Sequence, residues 1–81
     1  SGVFHIEKPI EVTNIEDGYR VKMKIPFIKS EDFTLRKFGD ELIVDIGNRR
    51  KNMFLPKFAN YMELTSYSYE NPYLTVELRK T

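Results

Sequence analysis

The sequence predicts an all-β fold, an antiparallel sandwich of about seven strands with two immunoglobulin-like sheets packed face to face. Three observations carry that expectation. Apolar and polar residues alternate with a period of two along most of the chain, and helical periodicity is hard to find. Glycine, asparagine and proline interrupt the alternation at short intervals, as turns between short strands require. A central stretch, Gly39 to Pro56, reads as two short strands folded about a tight turn.

Taken in order, Ile10-Glu11-Val12-Thr13 is a first short strand candidate. Glu16-Asp17-Gly18 follows as a turn, with Gly18 free to take a positive φ. Tyr19, Val21, Met23 and Ile25 are apolar and are separated by Arg20, Lys22 and Lys24, the pattern of a half-buried strand. Pro26 stops it, because a missing N–H cannot serve a ladder. Phe33-Thr34-Leu35-Arg36 alternates again and leads to a turn at Gly39-Asp40. Pro56 to Tyr61 is the one place suited to a helical turn. A strand at Tyr67 to Glu70 is divided by Asn71-Pro72 from a last one, where Leu74, Val76 and Leu78 alternate with Thr75, Glu77 and Arg79.

The register of the central hairpin decides which face each side chain occupies. A turn centred on Asn48-Arg49 pairs Ile46 with Lys51, Val44 with Met53 and Leu42 with Leu55 on one face. The opposite face then pairs Asp45 with Asn52 and Ile43 with Phe54. A turn centred on Gly47-Asn48 would set Val44 against Lys51 and waste the apolar face, so the first register is expected. Asn48 tolerates the left-handed conformation such a turn uses. The Ile43/Phe54 pair faces away from the main apolar stripe and is a candidate partner-contact patch. Its alternative fate is packing against the chain's own N-terminal strand.

Composition bounds the function. The 81 residues make one domain spanning 1–81, which buries roughly 60% of the surface its unfolded chain exposes. That leaves a modest core and little room for a deep substrate cavity. There is no cysteine, which excludes disulfides, thiolate metal sites and cysteine nucleophiles; it also suits a cytoplasmic protein. Thirteen basic and twelve acidic residues are interspersed to a net charge of +1, too weak a field to imply nucleic acid or an anionic membrane. No apolar run is long enough to insert in a bilayer. The chain opens Ser1-Gly2 without an initiator methionine, as an excised fragment with a tag scar at residues 1–2 would.

Candidates for chemistry are few. His5 is the sole histidine, with no nucleophile elbow or buried acid to make a triad; it reads as a surface or terminal residue. Glu31-Asp32 and Asp40-Glu41 are adjacent carboxylates, and neighbours on a strand point to opposite faces, unlike a paired acid and base or an oxygen-ligand metal site. Neither a catalytic nor a metal site is therefore expected. Arg49-Arg50-Lys51 is a basic hairpin tip, read as an exposed, edge-protecting charge cluster or as a contact for an acidic patch on a partner.

The order of several motifs resembles the α-crystallin domain of small heat-shock proteins. Ile25-Pro26-Phe27 is followed by Lys29-Ser30-Glu31-Asp32-Phe33, then Gly39-Asp40-Glu41-Leu42-Ile43-Val44, Met53-Phe54-Leu55-Pro56, Tyr69-Glu70-Asn71 and Leu74-Thr75-Val76. The likeness covers roughly Gly18 to Lys80. Gly47-Asn48-Arg49-Arg50 with Met53-Phe54-Leu55-Pro56 is most similar to the small heat-shock-like C-terminal domain of arsenical-pump-type, anion-transporting ATPases. The resemblance implies an apolar groove flanked by Phe33, Leu35, Tyr67 and Tyr69, where small heat-shock proteins add an extended peptide as a strand. The plainer alternative is that these rings fill a core lacking tryptophan.

Three departures limit what the resemblance implies. A tight turn replaces the long exchanging loop between Ile46 and Lys51, so strand-exchange dimerisation is not expected. The Ile-x-Ile tail is missing after Leu78, and Pro72-Tyr73 stands where the family has a glycine. The parent ATPases use a Gly-rich phosphate loop, whereas Gly2, Gly18, Gly39 and Gly47 here are isolated. ATP and magnesium are thus expected only in the missing parent domain, and no cofactor in this chain. The expected role is that of a non-catalytic accessory domain contacting its own ATPase domain or another polypeptide. The alternative is a free-standing chaperone-like module that binds extended peptide segments.

Overall fold

The computed structural model describes residues 11–25 and 33–81. Seven strands form two antiparallel sheets. Strands β1 (Glu11–Ile15), β2 (Gly18–Lys24), β6 (Met62–Glu70) and β7 (Tyr73–Lys80) build a four-stranded sheet in the order β1-β2-β7-β6. Strands β3 (Phe33–Phe38), β4 (Glu41–Ile46) and β5 (Arg49–Phe54) build a three-stranded sheet in sequence order. Pro56 leads into a 3₁₀ turn over Lys57–Tyr61 that carries the chain from one sheet to the other. The expected sandwich and the helical turn are both present.

The inward-facing residues explain why the layers pack. Val21 and Met23 of β2 and Leu74, Val76 and Leu78 of β7 meet Leu42 and Val44 of β4 and Met53 of β5 in one buried cluster. Leu35, Leu55, Ala59 and Met62 close it from the edges and the connecting turn. Burying a side chain of this size contributes about 1.5–3 kcal/mol each against its exposed state. Among the described residues no buried side-chain nitrogen or oxygen lacks a partner.

Two-residue turns join four of the strand pairs: Glu16-Asp17, Gly39-Asp40, Gly47-Asn48 and Asn71-Pro72, the last through a cis peptide bond. In the first of these the expectation for Gly18 is corrected. Asp17, not Gly18, takes the positive φ, at 60°. Gly18 is needed for a different reason, since a Cβ there would overlap the Leu78 carbonyl on the neighbouring strand.

The central hairpin also differs from its expected register. Ile46 pairs with Arg49, Val44 with Lys51, Leu42 with Met53 and Ile43 with Asn52, so the turn is centred on Gly47-Asn48. Gly47 supplies a φ of 60° at the first central position, as a II′-type hairpin turn demands. Val44 stays buried while facing Lys51, because Leu35 is its partner on the other side, on β3, and both join the core cluster shared with the opposite sheet. Shifting the turn centre by one residue moves each partner by two, which leaves inward and outward faces unchanged. Leu42, Val44, Met53 and Leu55 are therefore buried as the expected register also required, while Ile43 and Phe54 become diagonal rather than direct neighbours.

Strand β6 is longer than the expected Tyr67-to-Glu70 segment. A bulge between Leu64 and Ser66 inserts Thr65, and the inward positions change from even to odd numbers across it. Met62, Leu64, Tyr67 and Tyr69 all face inward only because of that break in phase.

Candidate functional site

The open side of the sandwich is formed by β3 and β6, each the last strand of its sheet. This arrangement brings Phe33, Tyr67 and Tyr69 together. The Phe33 ring lies 5.6 Å from that of Tyr67 and 5.9 Å, edge to face, from that of Tyr69. Tyr69 donates its hydroxyl to the Ile25 carbonyl at 2.7 Å, tying β6 to the end of β2. Leu35, one pleat further along β3, is buried in the core. Beyond it the seam opens into a cleft of about 440 Å³ lined by Leu35, Arg36, Lys37 and Phe38 on one side and Met62, Glu63 and Leu64 on the other. The four groove residues read from the sequence thus share one seam, but the rings fill one end of it and the accessible space lies at the other. Its lining mixes the apolar Leu35, Phe38, Met62 and Leu64 with the charged Arg36, Lys37 and Glu63.

A second surface is the outer face of the three-stranded sheet. Cross-strand pairing sets Thr34, Asp45 and Arg50 in one row, Arg36, Ile43 and Asn52 in the next, and Phe38, Glu41 and Phe54 in the third. Ile43 is half-buried at the centre, whereas Phe54 is 42% and Phe38 59% exposed. Phe38 belongs to this patch and was missed in the sequence. Its signal was present: the alternation from Phe33 puts Leu35 inward and Arg36 and Phe38 at outward, even-numbered positions.

Charge on this face is locally satisfied. Arg50 Nε lies 2.7 Å from Asp45 Oδ1 and an Arg36 guanidinium nitrogen 2.9 Å from Asp45 Oδ2. The Arg50 hydrogen bond above all, with Arg36 adding to it, holds the Asp45 carboxyl below its ordinary range. Asn52 donates to Glu41 Oε2 at 2.8 Å, and the Arg36 guanidinium stands 5.8 Å from the centre of the Phe38 ring. The other sheet has a matching hub at Glu77, which is bound by Arg20, Arg79 and Ser66. The Arg20 hydrogen bond, first among these, lowers its titration.

The basic hairpin tip is dispersed by the pleat. Arg50 points outward into the Asp45 ion pair, whereas Arg49 and Lys51 lie on the other face of β5, opposite Ile46 and Val44. Asp40 sits in a turn and Glu41 on the outer sheet face, as adjacent carboxylates must. Among the described residues no three His, Cys, Asp or Glu side chains converge as metal ligands would. No helix among them is long and apolar enough to cross a membrane. His5, Ile10, Glu31 and Asp32 lie outside the described residues.

Comparison with known proteins places these surfaces in context. The family described as the HSP20-like domain found in ArsA matches residues 16–78. A protein of Chlorobaculum tepidum named "Putative arsenical pump-driving ATPase" is 33% identical over 76 residues, covering 94% of this chain and 19% of its own length. A protein of Aquifex aeolicus named "Putative arsenical pump-driving ATPase 1" is 31% identical over 61 residues, 75% of this chain and 15% of its own length. A Prosthecochloris vibrioformis protein with the same name as the first is 39% identical over 56 residues, 69% of this chain and 14% of its own length. The chain spans less than a fifth of each of these relatives.

Proposed function

Because the chain belongs to the family of HSP20-like domains found in ArsA, we propose that it is a non-catalytic docking domain of an arsenical-pump-type ATPase. In this reading the phosphate chemistry resides in another part of the protein, and this domain needs neither nucleotide nor metal. It works in the cytoplasm, holding the ATPase or a second polypeptide through surface contact. The observation that carries the reading is the distribution of its side chains. Exposed apolar groups gather on the outer face of the three-stranded sheet, around Ile43, Phe38 and Phe54. The carboxylates with displaced titration, Asp45 and Glu77, are each occupied by two arginines on open sheet faces. Such groups serve as structural hubs; a general acid or base needs a free carboxyl in a cleft.

Calorimetric titration of the chain into an arsenical-pump-type ATPase of the same organism, deleted for its own HSP20-like domain, tests this. Saturable binding in the micromolar range is expected, with no nucleotide hydrolysis by the chain alone. Absence of binding at a hundred micromolar, with and without ATP, would overturn it.

A second reading rests on the cleft between β3 and β6. Leu35, Met62 and Leu64 form an apolar floor between two strands that, among the described residues, lie at the edges of their sheets, the setting in which an extended segment adds as a strand. It expects the chain to suppress aggregation of an unfolding client and Leu64→Glu to remove that effect. Equal protection by wild type and variant would exclude the cleft.

A further inference from the structure

We infer that the outer edge of β5 and the underside of β1 form a groove one strand wide, and that the chain's own residues 3–7 occupy it as a strand antiparallel to β5. The inference stands apart from the docking role proposed above. It says which edge of the sandwich is closed from within and so withheld from other chains.

The groove follows from the mismatch between four strands and three. β3 and β6 meet at one side of the sandwich, where Phe33 touches Tyr67 and Tyr69. Counted from there, β3, β4 and β5 lie over β6, β7 and β2, and β1 extends past β5. Exposure agrees with that count. Val12 stands opposite Val21 and so faces inward, yet it is 41% exposed where Val21 is 0%. Asn14, inward by the same alternation, is exposed too, and among the described residues β1 adds nothing to the buried cluster. Within that same part of the chain β5 is the last strand of its sheet, and every second residue along it aims its N–H and C=O away from β4. An edge of this kind is a template for pairing with another chain. The floor is thus apolar at Val12 and the wall is a row of main-chain donors and acceptors, which suits an extended segment.

Position and length select the occupant. Glu11, the first residue of β1, pairs with Lys22 near the end of β2. That end is bound through the Ile25 carbonyl to Tyr69, whose ring meets Phe33. Phe33 pairs with Ile46, and Ile46 with Arg49, the first residue of β5. β1 and β5 therefore start at the same end of the sandwich, and residues before Glu11 that run back along β5 are antiparallel to it. Residues 3–7 precede the described part of the chain and nearly match the six residues of β5 in length. Lys8, Pro9 and Ile10 remain for the crossing between layers. The steps from Glu7 to Glu11 reach about 13–14 Å, against a layer separation of about 10 Å. Pro9, which has no N–H to give, falls in that crossing and not in the ladder.

Side-chain chemistry selects the register. Phe4 and Ile6 alternate with Val3, His5 and Glu7. Opposing Phe4 to Met53 and Ile6 to Lys51 turns both apolar side chains inward, above Val12. The other face then sets His5 against Asn52 and Glu7 against Arg50. There Arg36 and Arg50 share the single carboxylate of Asp45, so a second carboxylate balances the row. Sliding by one residue would turn Phe4 and Ile6 to solvent. Sliding by two would move Glu7 from Arg50 to Asn52 or Asn48.

Nuclear magnetic resonance of the full chain reads both the occupant and the register. Cross-strand Overhauser effects should join Phe4 to Met53, His5 to Asn52 and Ile6 to Lys51. A sample mixed from isotope-labelled and unlabelled chain should show none of them between molecules. Amide exchange gives a second readout in a Phe4→Asp/Ile6→Asp variant, checked for an unchanged fold by circular dichroism. Alternate β5 amides should exchange about tenfold faster there than in the wild type, measured relative to the β4 amides. Absence of contact between residues 3–7 and β5, contacts found between chains, or unchanged exchange of the β5 amides would overturn the inference.

Discussion

Gly18 on β2 lies against the backbone of Leu78 on β7, with no room between them for even a single side-chain carbon. The obstruction is a carbonyl oxygen, its carbon and the Arg79 Cα, none of which can rotate away as a side-chain tip could. Gly18→Ala therefore has to spread the central pair of the four-stranded sheet, the pair that carries Val21 and Leu78 into the core. Overpacking of this kind costs about 1–3 kcal/mol, occasionally more. Thermal unfolding followed by circular dichroism should show a midpoint lowered by roughly 10 °C. A midpoint within a degree or two of wild type would mean that the two strands stand further apart than described.

The hairpin faces yield a contrast between two substitutions. Val44 is fully buried, and Phe54 is 42% exposed on the opposite face. Val44→Asp places an unpaired charge among Leu42, Met53 and Val76, at a cost of several kcal/mol. A chain of this length is stable by only about 4–12 kcal/mol, so the variant should be largely unfolded at room temperature. Phe54→Ser should lose about 1 kcal/mol or less and keep a cooperative melt. Equally destructive effects on the melt would mean that the sheet faces have been exchanged.

Much of this was legible in the sequence because a period of two fixes sheet faces even when the pairing is misjudged. The inward set Leu42, Val44, Met53 and Leu55 is common to both hairpin registers, so the choice of turn centre left the core unchanged. The register itself was set by features that the apolar pattern does not weigh. These are the positive φ of Gly47 and the cross-strand ion pair between Asp45 and Arg50. The first half of β6 was hidden for another reason: apolar residues at 62, 64, 67 and 69 alternate only if a bulge absorbs Thr65. Thr65 and Arg79 stabilise that bulge through side-chain hydrogen bonds, from Thr65 to the Glu77 carbonyl and from Arg79 to the Thr65 hydroxyl. Long-range partners of this kind leave no local mark. Of the candidate surfaces, the Phe33/Tyr67/Tyr69 seam followed from the family resemblance. The exposed ring of Phe38 needed only the β3 alternation to be carried two residues further.

Acid stability should follow the two carboxylate hubs. Both Asp45 and Glu77 titrate below their ordinary values of 3.8 and 4.5 in the folded chain, through arginine hydrogen bonds. Between the folded and unfolded values the unfolded chain binds more protons, so stability rises with pH across that interval. The contribution is complete above the ordinary carboxylate range and is lost as pH falls through the lowered folded values. Urea midpoints should therefore be level from pH 7 to about 5 and decline below about 4. Asp45→Asn and Glu77→Gln should each lower the neutral-pH midpoint and flatten the acid limb. An acid limb of unchanged slope in the double variant would assign the decline to other carboxylates.

Tyr69 offers the sharpest test of the seam between the sheets. Its hydroxyl donates to the Ile25 carbonyl at 2.7 Å, while the Ile25 N–H donates to the Pro72 carbonyl at 2.7 Å. Both main-chain groups of Ile25, a buried residue, are thus held by the β6–β7 hairpin. Tyr69→Phe keeps the ring against Phe33 and removes only the donor, leaving the Ile25 carbonyl without that partner. A lost hydrogen bond with an orphaned acceptor costs about 1–3 kcal/mol. Tyr67→Phe makes the same chemical change on a ring that also touches Phe33 but is 42% exposed, and should be close to neutral. Amide hydrogen exchange adds a local readout, since the Ile25 amide should exchange faster in Tyr69→Phe than global destabilisation alone explains. Equal denaturation midpoints for the two variants would show that the Tyr69 hydroxyl does not anchor the end of β2, and that the aromatic rings alone hold the seam closed.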